Sequence, residues 1–221
     1  MTAGWRVAAA QGYCQRDADP SLGVRNTEPA RRQEVWSDRE ARQLVKGAWR
    51  AGYRGLAAVI AVAWDSSLSP VDVRKLTPAQ RSAPDVFTLA RAKTGRAAVA
   101  TLSRPAQRVL DSYIVLLGAE IAPSAPLFRN RSGAPHSKDT LGDDFRDVRA
   151  LIFEEGERRT LADFRRSGAV EALRGGASAE VIGTKLANDY ATSAFLQKTY
   201  TPVDLETAQK ADEARRKGRK Q

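Results

Sequence analysis

The stretch VFTLARAKTGRAAVATL, residues 86 to 102, is the part of this sequence that most directly indicates its fold. Apolar and polar residues alternate on either side of the turn KTGR, residues 93 to 96, and this period of two is typical of β-strands. Gly95 can adopt the left-handed backbone conformation that tight hairpins require. The stretch therefore predicts a β-hairpin, the only convincing sheet element in the sequence.

Helical patterns lie on both sides of this hairpin. Ser37 followed by Glu40 is a capping-box signature and predicts a helix from about 38 to 51. The uniformly apolar stretch from Gly55 to Trp64 predicts a helix buried on all sides. Further helices are predicted at about 103 to 117, 138 to 153, 159 to 174, 178 to 186 and 190 to 199. We therefore expect a mainly α fold with a small β-hairpin or sheet.

The chain divides by composition into three parts. Residues 1–36 are rich in small and polar residues and predict a lead-in with a short opening helix. Residues 37–203 carry the periodic segments and predict one main domain. Residues 204–221 end in the basic sequence ARRKGRKQ and predict a tail that frays at its end.

The charge of the chain points to an acidic partner. The 221 residues include 36 Lys and Arg against 26 Asp and Glu, which gives a formal net charge of +10. Such an excess favours binding to polyanions through counterion release, so double-stranded DNA is the first candidate. The alternative is a basic surface that is merely solvated.

Other partners and compartments are disfavoured by what the sequence lacks. The single cysteine, Cys14, cannot form an internal disulfide, and the single histidine, His136, cannot build a Cys/His zinc site. We expect no metal and no cofactor, and we expect His136 to be a surface residue in a polar loop. The longest apolar run, residues 57 to 64, is too short to span a bilayer, so a cytoplasmic protein is expected.

Four stretches together resemble a known family. They are WSDREARQLVKGA (36–48), FTLARAKTGRAAVATLSRPAQRVLDSY (87–113), ADFRRSGA (162–169) and FLQKTYTPVD (195–204). In this order and spacing they resemble the catalytic domain of the tyrosine recombinases, the phage integrase family. The resemblance covers about residues 36 to 204.

The resemblance implies phosphoryl transfer on DNA without a metal or nucleotide cofactor. In this family a tyrosine attacks a phosphodiester and forms a 3'-phosphotyrosyl bond, while arginines hold the phosphate and a lysine protonates the leaving oxygen. Tyr200 matches the nucleophile, Arg165 the second arginine and Lys93 the hairpin lysine. Bidentate guanidinium donors suit the charge that develops on the phosphate oxygens.

Three further family positions are replaced in this chain. Ser69 stands where the first arginine is expected, although the acidic residue three positions later is kept as Asp72. Ala162 stands where a histidine precedes the second arginine, and Asn188 stands at a third imidazole or indole position. The resemblance therefore implies a degenerate active site.

Nearby basic residues could compensate for the missing arginine. Arg74, Lys75 and Arg91 are the candidates that the sequence offers. Arg74 lies five residues after Ser69, which is ~140° around a helix, so we do not expect its side chain to reach the place of the missing arginine.

Simpler interpretations exist for the matched residues. The resemblance implies DNA contacts from Lys93, Arg158, Arg159, Arg165 and Arg166. The four arginines could instead form a solvated basic stripe, and Lys93 could be an ordinary turn lysine. Tyr200 could be an aromatic residue at the end of a surface helix.

Two functions remain open at this point. The first is a degenerate recombinase, or pseudoenzyme, that binds DNA as an accessory module, and the second is an active site-specific recombinase. The resemblance also suggests that the lead-in is the last helix of an N-terminal DNA-clamping domain. It further suggests that the tail, residues 204–221, docks on a neighbouring subunit to form a homo-oligomer on DNA. A bacterial or phage-derived mobile element with a nucleoid location is the expected context.

Overall fold

The computed structural model describes residues 3–19, 34–118 and 120–186. Contacts divide the chain into two units, Met1–Arg32 and Gln33–Gln221. Within the first unit, helix α1 (Ala3–Ala10) is followed by a 3-10 turn at Arg16–Ala18. The indole N–H of Trp5 donates to the Gln15 carbonyl over 3.1 Å and ties these two elements together.

The second unit is helical with one small sheet. Its helices are α2 (Asp38–Arg50), α3 (Arg54–Ser66), α4 (Pro70–Arg74), α5 (Arg104–Leu117), α6 (Lys138–Ile152), α7 (Asp163–Arg174) and α8 (Ala179–Lys185). Its strands are β1 (Arg81–Ala83), β2 (Val86–Ala90) and β3 (Ala97–Thr101), in the order β1-β2-β3. The predicted fold class, mainly α with a small sheet, is confirmed.

The antiparallel pairing of β2 with β3 confirms the predicted hairpin. Phe87 pairs with Ala100 and Leu89 with Ala98, and these four side chains are buried on the same face. Gly95 has φ +68° at the turn, as the sequence predicted. Strand β1, which pairs antiparallel with β2, was not predicted.

Helix α3 forms the centre of the core. All residues from Gly55 to Ala63 are buried, as its uniformly apolar sequence predicted. Helices α2, α5, α6 and α7 pack against it. Gly55 is required at one such approach, because a Cβ there would lie 1.9 Å from the carbonyl oxygen of Arg129.

The start of α2 is fixed by the predicted capping box. The Ser37 hydroxyl accepts from the Glu40 N–H, and the Glu40 carboxylate accepts from the Ser37 N–H over 2.8 Å. Next to this cap, the buried ring of Trp36 packs against Phe145, Phe153 and Phe164 with ring centroids 5.5 to 6.2 Å apart. This aromatic cluster joins the starts of α2 and α7 to α6.

Two sequence predictions are corrected by these elements. Helix α7 begins at Asp163 rather than near 159, because the Asp163 carboxylate accepts the Thr160 N–H over 2.6 Å and holds a separate turn before the helix. Helix α4, with Pro70 at its start, was missed because it spans only five residues. No helix in the described ranges is long and apolar enough to cross a membrane.

Candidate functional site

Asp72 is the buried acidic centre of the candidate site. Its carboxylate lies on α4 with only 1% of the side chain exposed. It accepts hydrogen bonds from the hydroxyl of Ser69, from the N–H of Ala92 over 2.8 Å and from Nε of Arg91 over 2.7 Å. Burial raises the pKa of Asp72, but the bonds from these three donors outweigh it and hold the pKa below its usual value. The group is therefore a carboxylate at neutral pH.

Arg91 extends from the end of β2 across this carboxylate. Its Nε is committed to Asp72, and its Nη1 donates to the carbonyl oxygen of Leu186 over 2.6 Å. The side chain is 11% exposed. Leu186 is the residue that ends α8, so Arg91 bridges the sheet and the last described helix.

Arg165 reaches the same oxygen from the first turn of α7. Its Nη2 donates to the Leu186 carbonyl over 2.7 Å, and its Nη1 donates to the Ser67 carbonyl over 3.1 Å. We call Arg91 and Arg165 the arginine pair. Two guanidinium groups from separate elements thus converge on one oxygen atom.

A glycine sets the position of Arg165. Gly168 lies one turn further along α7, and a Cβ there would be 2.1 Å from the Ser67 hydroxyl. Ser67 itself ends α3 in the left-handed conformation, with φ 56°. The close approach of α7 to this residue brings Arg165 within reach of the Ser67 carbonyl.

Lys93 lies at the tip of the hairpin, two residues beyond Arg91, and is exposed. The loop is held at its base, where the Gly95 N–H donates to the Arg91 carbonyl and the Arg91 N–H donates to the Arg96 carbonyl, each over 2.8 Å. Arg91 and Lys93 therefore share one short, anchored loop, with Lys93 at its solvent-facing end.

Ser69 and Ala162, at the replaced positions, offer neither a guanidinium nor an imidazole group. Ser69 is the N-cap residue of α4, and its hydroxyl donates to Asp72. Ala162 is exposed immediately before α7 and carries only a methyl group. Both places lack a group that could exchange a proton with a phenol at neutral pH.

A basic groove of about 580 Å³ lies beside these positions. Its lining includes Pro70 and Ala162, the cationic residues Lys138, Arg146, Arg149 and Arg158, and the carboxylates of Asp139 and Asp143. Arg158, one of the predicted DNA contacts, is exposed here. With four cationic residues against two carboxylates, the groove has an excess of positive charge, as a phosphate backbone would require.

Arg159 has a structural environment that the sequence did not reveal. Its guanidinium pairs with Glu40 and Glu157, each over 2.6 Å, donates to the Val35 carbonyl over 2.7 Å and lies 4.0 Å above the ring of Trp36. Burial raises the pKa of Glu40, but bonds from Arg159 and Ser37 outweigh it and lower that pKa to about 2. We therefore leave Arg159 out of the proposed DNA-binding set.

The remaining basic residues differ in their surroundings. Arg166, the next residue on α7, is half-buried. Arg74 donates to the carbonyl of His136 over 3.4 Å and does not contact Asp72. Of the three basic residues that could compensate for the missing arginine, Arg91 is the one whose guanidinium contacts Asp72.

His136 is buried, which corrects the expectation of a surface residue. None of its side chain is exposed, and its Nδ1 lies 3.9 Å from a carboxylate oxygen of Asp144. Burial lowers the pKa of His136 to about 4. The polar loop around it gave no signal of this, because the ring is enclosed by residues distant in sequence.

Several predicted features lie outside the described residues. They are Tyr200, Asn188, the helix predicted at 190 to 199 and the tail, residues 204–221. Their roles stay predictions.

Solved structures share this fold. The chain superposes on XerA recombinase with a TM-score of 0.66 and 17% identity, covering 87% of this chain and 67% of that one. It matches a lambda integrase dimer bound to a COC' core site with a TM-score of 0.67 and 15% identity, covering 90% and 57%. It matches the Tn1549 transposon integrase in complex with transposon right end DNA with a TM-score of 0.66 and 10% identity, covering 96% and 75%.

These likenesses establish the fold of the chain. It has the catalytic-domain fold of the tyrosine recombinases, as the sequence predicted. The chain spans 57 to 75% of the length of these three proteins. No family model and no curated protein matches the sequence.

Proposed function

We propose that this protein binds duplex DNA as a member of the tyrosine recombinase type and that its strand-cleavage chemistry is impaired. DNA binding is supported by the net charge of +10, by the basic groove and by the DNA-bound proteins that share its fold. In this proposal Lys93, Arg158, Arg165 and Arg166 face the DNA backbone, and Tyr200 occupies the nucleophile's place.

The impairment is inferred from the side chains at the two replaced positions that the structure describes, Ser69 and Ala162. A hydroxyl at Ser69 meets Asp72, and a methyl group at Ala162 precedes α7. Asn188 can donate a hydrogen bond but cannot exchange a proton. Loss of a single preorganised donor typically reduces a rate by ~10²–10³, so little cleavage should survive three replacements.

One observation favours the second candidate, an active site-specific recombinase. A guanidinium does contact the retained acid, because Arg91 pairs with Asp72 over 2.7 Å. A replacement for the missing arginine does not restore the proton transfers, however, so we retain the impaired module as the proposed function.

Salt dependence of binding tests the DNA assignment. We expect the affinity for a labelled duplex to fall steeply between 50 and 200 mM salt, by ~10³-fold or more if about six phosphates are contacted. Arg165→Gln should reduce the slope of log Kd against log salt by about one contact. Arg108→Gln, which removes an exposed arginine from α5, is the matched control and should change the slope less. An affinity that does not depend on salt would refute the assignment.

We also propose assembly on DNA through residues 204–221. A DNA-bound dimer of lambda integrase and a tetramer on a Holliday junction share the fold. The apolar positions Leu205 and Ala208 lie at helical spacing and could pack on a second copy. Deleting residues 204–221 should leave the thermal transition unchanged and lower the fraction of higher-order complexes on DNA. Unchanged assembly would contradict this role.

A further inference from the structure

Each guanidinium of the arginine pair is held by a contact within the protein, and both donate to one further oxygen atom. A guanidinium is a planar fork with five N–H donors. Arg91 commits its Nε to Asp72, and Arg165 commits its Nη1 to the Ser67 carbonyl. Nη1 of Arg91 and Nη2 of Arg165 both donate to the carbonyl oxygen of Leu186.

We propose that this point is a phosphate-binding site in which Arg91 replaces the arginine that is absent at position 69. The ligand is a phosphodiester of duplex DNA, so the inference rests on the proposed function. One non-bridging phosphate oxygen takes the place that the Leu186 carbonyl oxygen occupies in the free protein.

Charge explains why a phosphate oxygen suits this point better than a carbonyl. The cluster of Arg91, Arg165 and Asp72 holds two cations and one anion, and Asp72 is an anion at neutral pH because its pKa is lowered. A carbonyl oxygen carries only a partial charge, whereas the non-bridging oxygens of a phosphodiester share a full negative charge, so the same two guanidinium groups attract them more strongly. Guanidinium forks also match phosphate geometry.

The Leu186 carbonyl is suited to being displaced. It belongs to the residue that ends α8, and the last carbonyls of a helix have no partner within the helix. The arginine pair satisfies this carbonyl in the free protein. Displacement therefore breaks the two bonds from the arginine pair but no hydrogen bond within α8.

Arg91 is preorganised for this role. Its backbone N–H and carbonyl are both bonded within the hairpin loop, and the next residue, Ala92, donates its N–H to the same Asp72 carboxylate. Asp72 thus fixes both the loop and the guanidinium. An arginine at position 69 would have to share this carboxylate with Ala92 and Arg91, which both already donate to it.

A double-mutant cycle, in which the affinity for duplex DNA is measured for each variant, tests the inference. Anisotropy titrations of the full chain would compare wild type, Arg91→Gln, Arg165→Gln and the double variant over a salt series. Each single substitution should weaken binding roughly tenfold, as expected for a lost charge-assisted bond. Because both groups hold one phosphate, the double variant should bind at least about threefold more tightly than the product of the two losses predicts. In the control that combines Arg91→Gln with Arg108→Gln, the two losses of affinity should simply multiply.

Loss of folding must be separated from loss of binding. Arg91→Gln leaves the buried Asp72 without a cation, so Asp72→Asn combined with Arg91→Gln supplies a neutral pair whose fold is checked by circular dichroism and thermal unfolding. If this folded variant binds DNA within twofold of wild type, or if the two arginine losses simply multiply, the inference is wrong while DNA binding stands. If the wild-type chain shows no salt-dependent binding, the proposed function fails and the inference with it.

Discussion

A Cβ added at Gly168 would lie 2.1 Å from the hydroxyl oxygen of Ser67, too close for any side chain at position 168 unless Ser67 moves. This contact between α7 and the end of α3 also brings the Arg165 guanidinium 3.1 Å from the Ser67 carbonyl. The packing of α7 against the end of α3 and the placement of Arg165 therefore depend on the same glycine.

Gly168→Ala should destabilise the protein even though alanine normally favours helices over glycine. The added methyl must displace Ser67, which is buried, and overpacking of this kind costs about 1 to 3 kcal/mol in the free energy of unfolding. Urea unfolding measures the cost. In a Ser67→Gly background the obstacle is gone and glycine suits φ 56°, so the cost should vanish. An equal cost in both backgrounds would show that Ser67 is not the obstacle.

Arg159→Met should lower stability without changing DNA binding. The substitution leaves Glu40 and Glu157 without their shared cation and removes the contact with Trp36, at a cost of roughly 2 kcal/mol for a partly exposed cluster. The slope of DNA affinity against salt should match wild type, unlike that of Arg165→Gln. A slope reduced by about one contact would place Arg159 on the DNA face.

The cost of Arg159→Met should also depend on pH. The pKa of Glu40 is about 2 in the folded chain against an ordinary 4.5, so its paired carboxylate stabilises the fold fully above about pH 4.5. This contribution is lost as pH falls from 4.5 towards 2. The stability difference between Arg159→Met and wild type should therefore shrink over that range, and a difference that is constant from pH 7 to pH 2.5 would contradict the ion pair.

His136 should make stability fall at mildly acidic pH. Its pKa is about 4 when folded against 6.5 ordinarily, so the unfolded chain binds the proton more readily. Stability is therefore full above about pH 6.5 and declines as pH falls towards 4, by at most about 3 kcal/mol at ~1.4 kcal/mol per pKa unit. Since this is the only histidine, His136→Phe should remove that part of the slope. An unchanged profile in the variant would mean that the ring is accessible to solvent.

Local signals in the sequence predicted much of the fold. The capping box of Ser37 and Glu40 fixed the start of α2, and alternation around Gly95 identified the hairpin. Uniform apolarity predicted the buried helix α3. These elements could be predicted because the residues that determine them are neighbours along the chain.

The parts of the site that sequence could not predict depend on contacts between distant segments. Arg91 and Asp72 are 19 residues apart, and only the folded structure shows that their side chains pair. Arg159 meets Glu40 across 119 residues, so a run of arginines that suggested a DNA-facing stripe contains one that holds the fold together. The burial of His136 has the same origin.

The central claim, that the chain binds DNA but cleaves it poorly, is tested most directly by trapping the covalent phosphotyrosyl intermediate. A nicked duplex that loses its short leaving strand after attack captures any phosphotyrosyl intermediate, which denaturing gels reveal as a covalent adduct. At protein concentrations that saturate the duplex, we expect no adduct from the wild-type chain. Ser69→Arg, Ala162→His and Asn188→His together should yield some adduct, and adding Tyr200→Phe should abolish it. Robust adduct from the wild-type chain, lost in Tyr200→Phe, would contradict the account and identify an active recombinase.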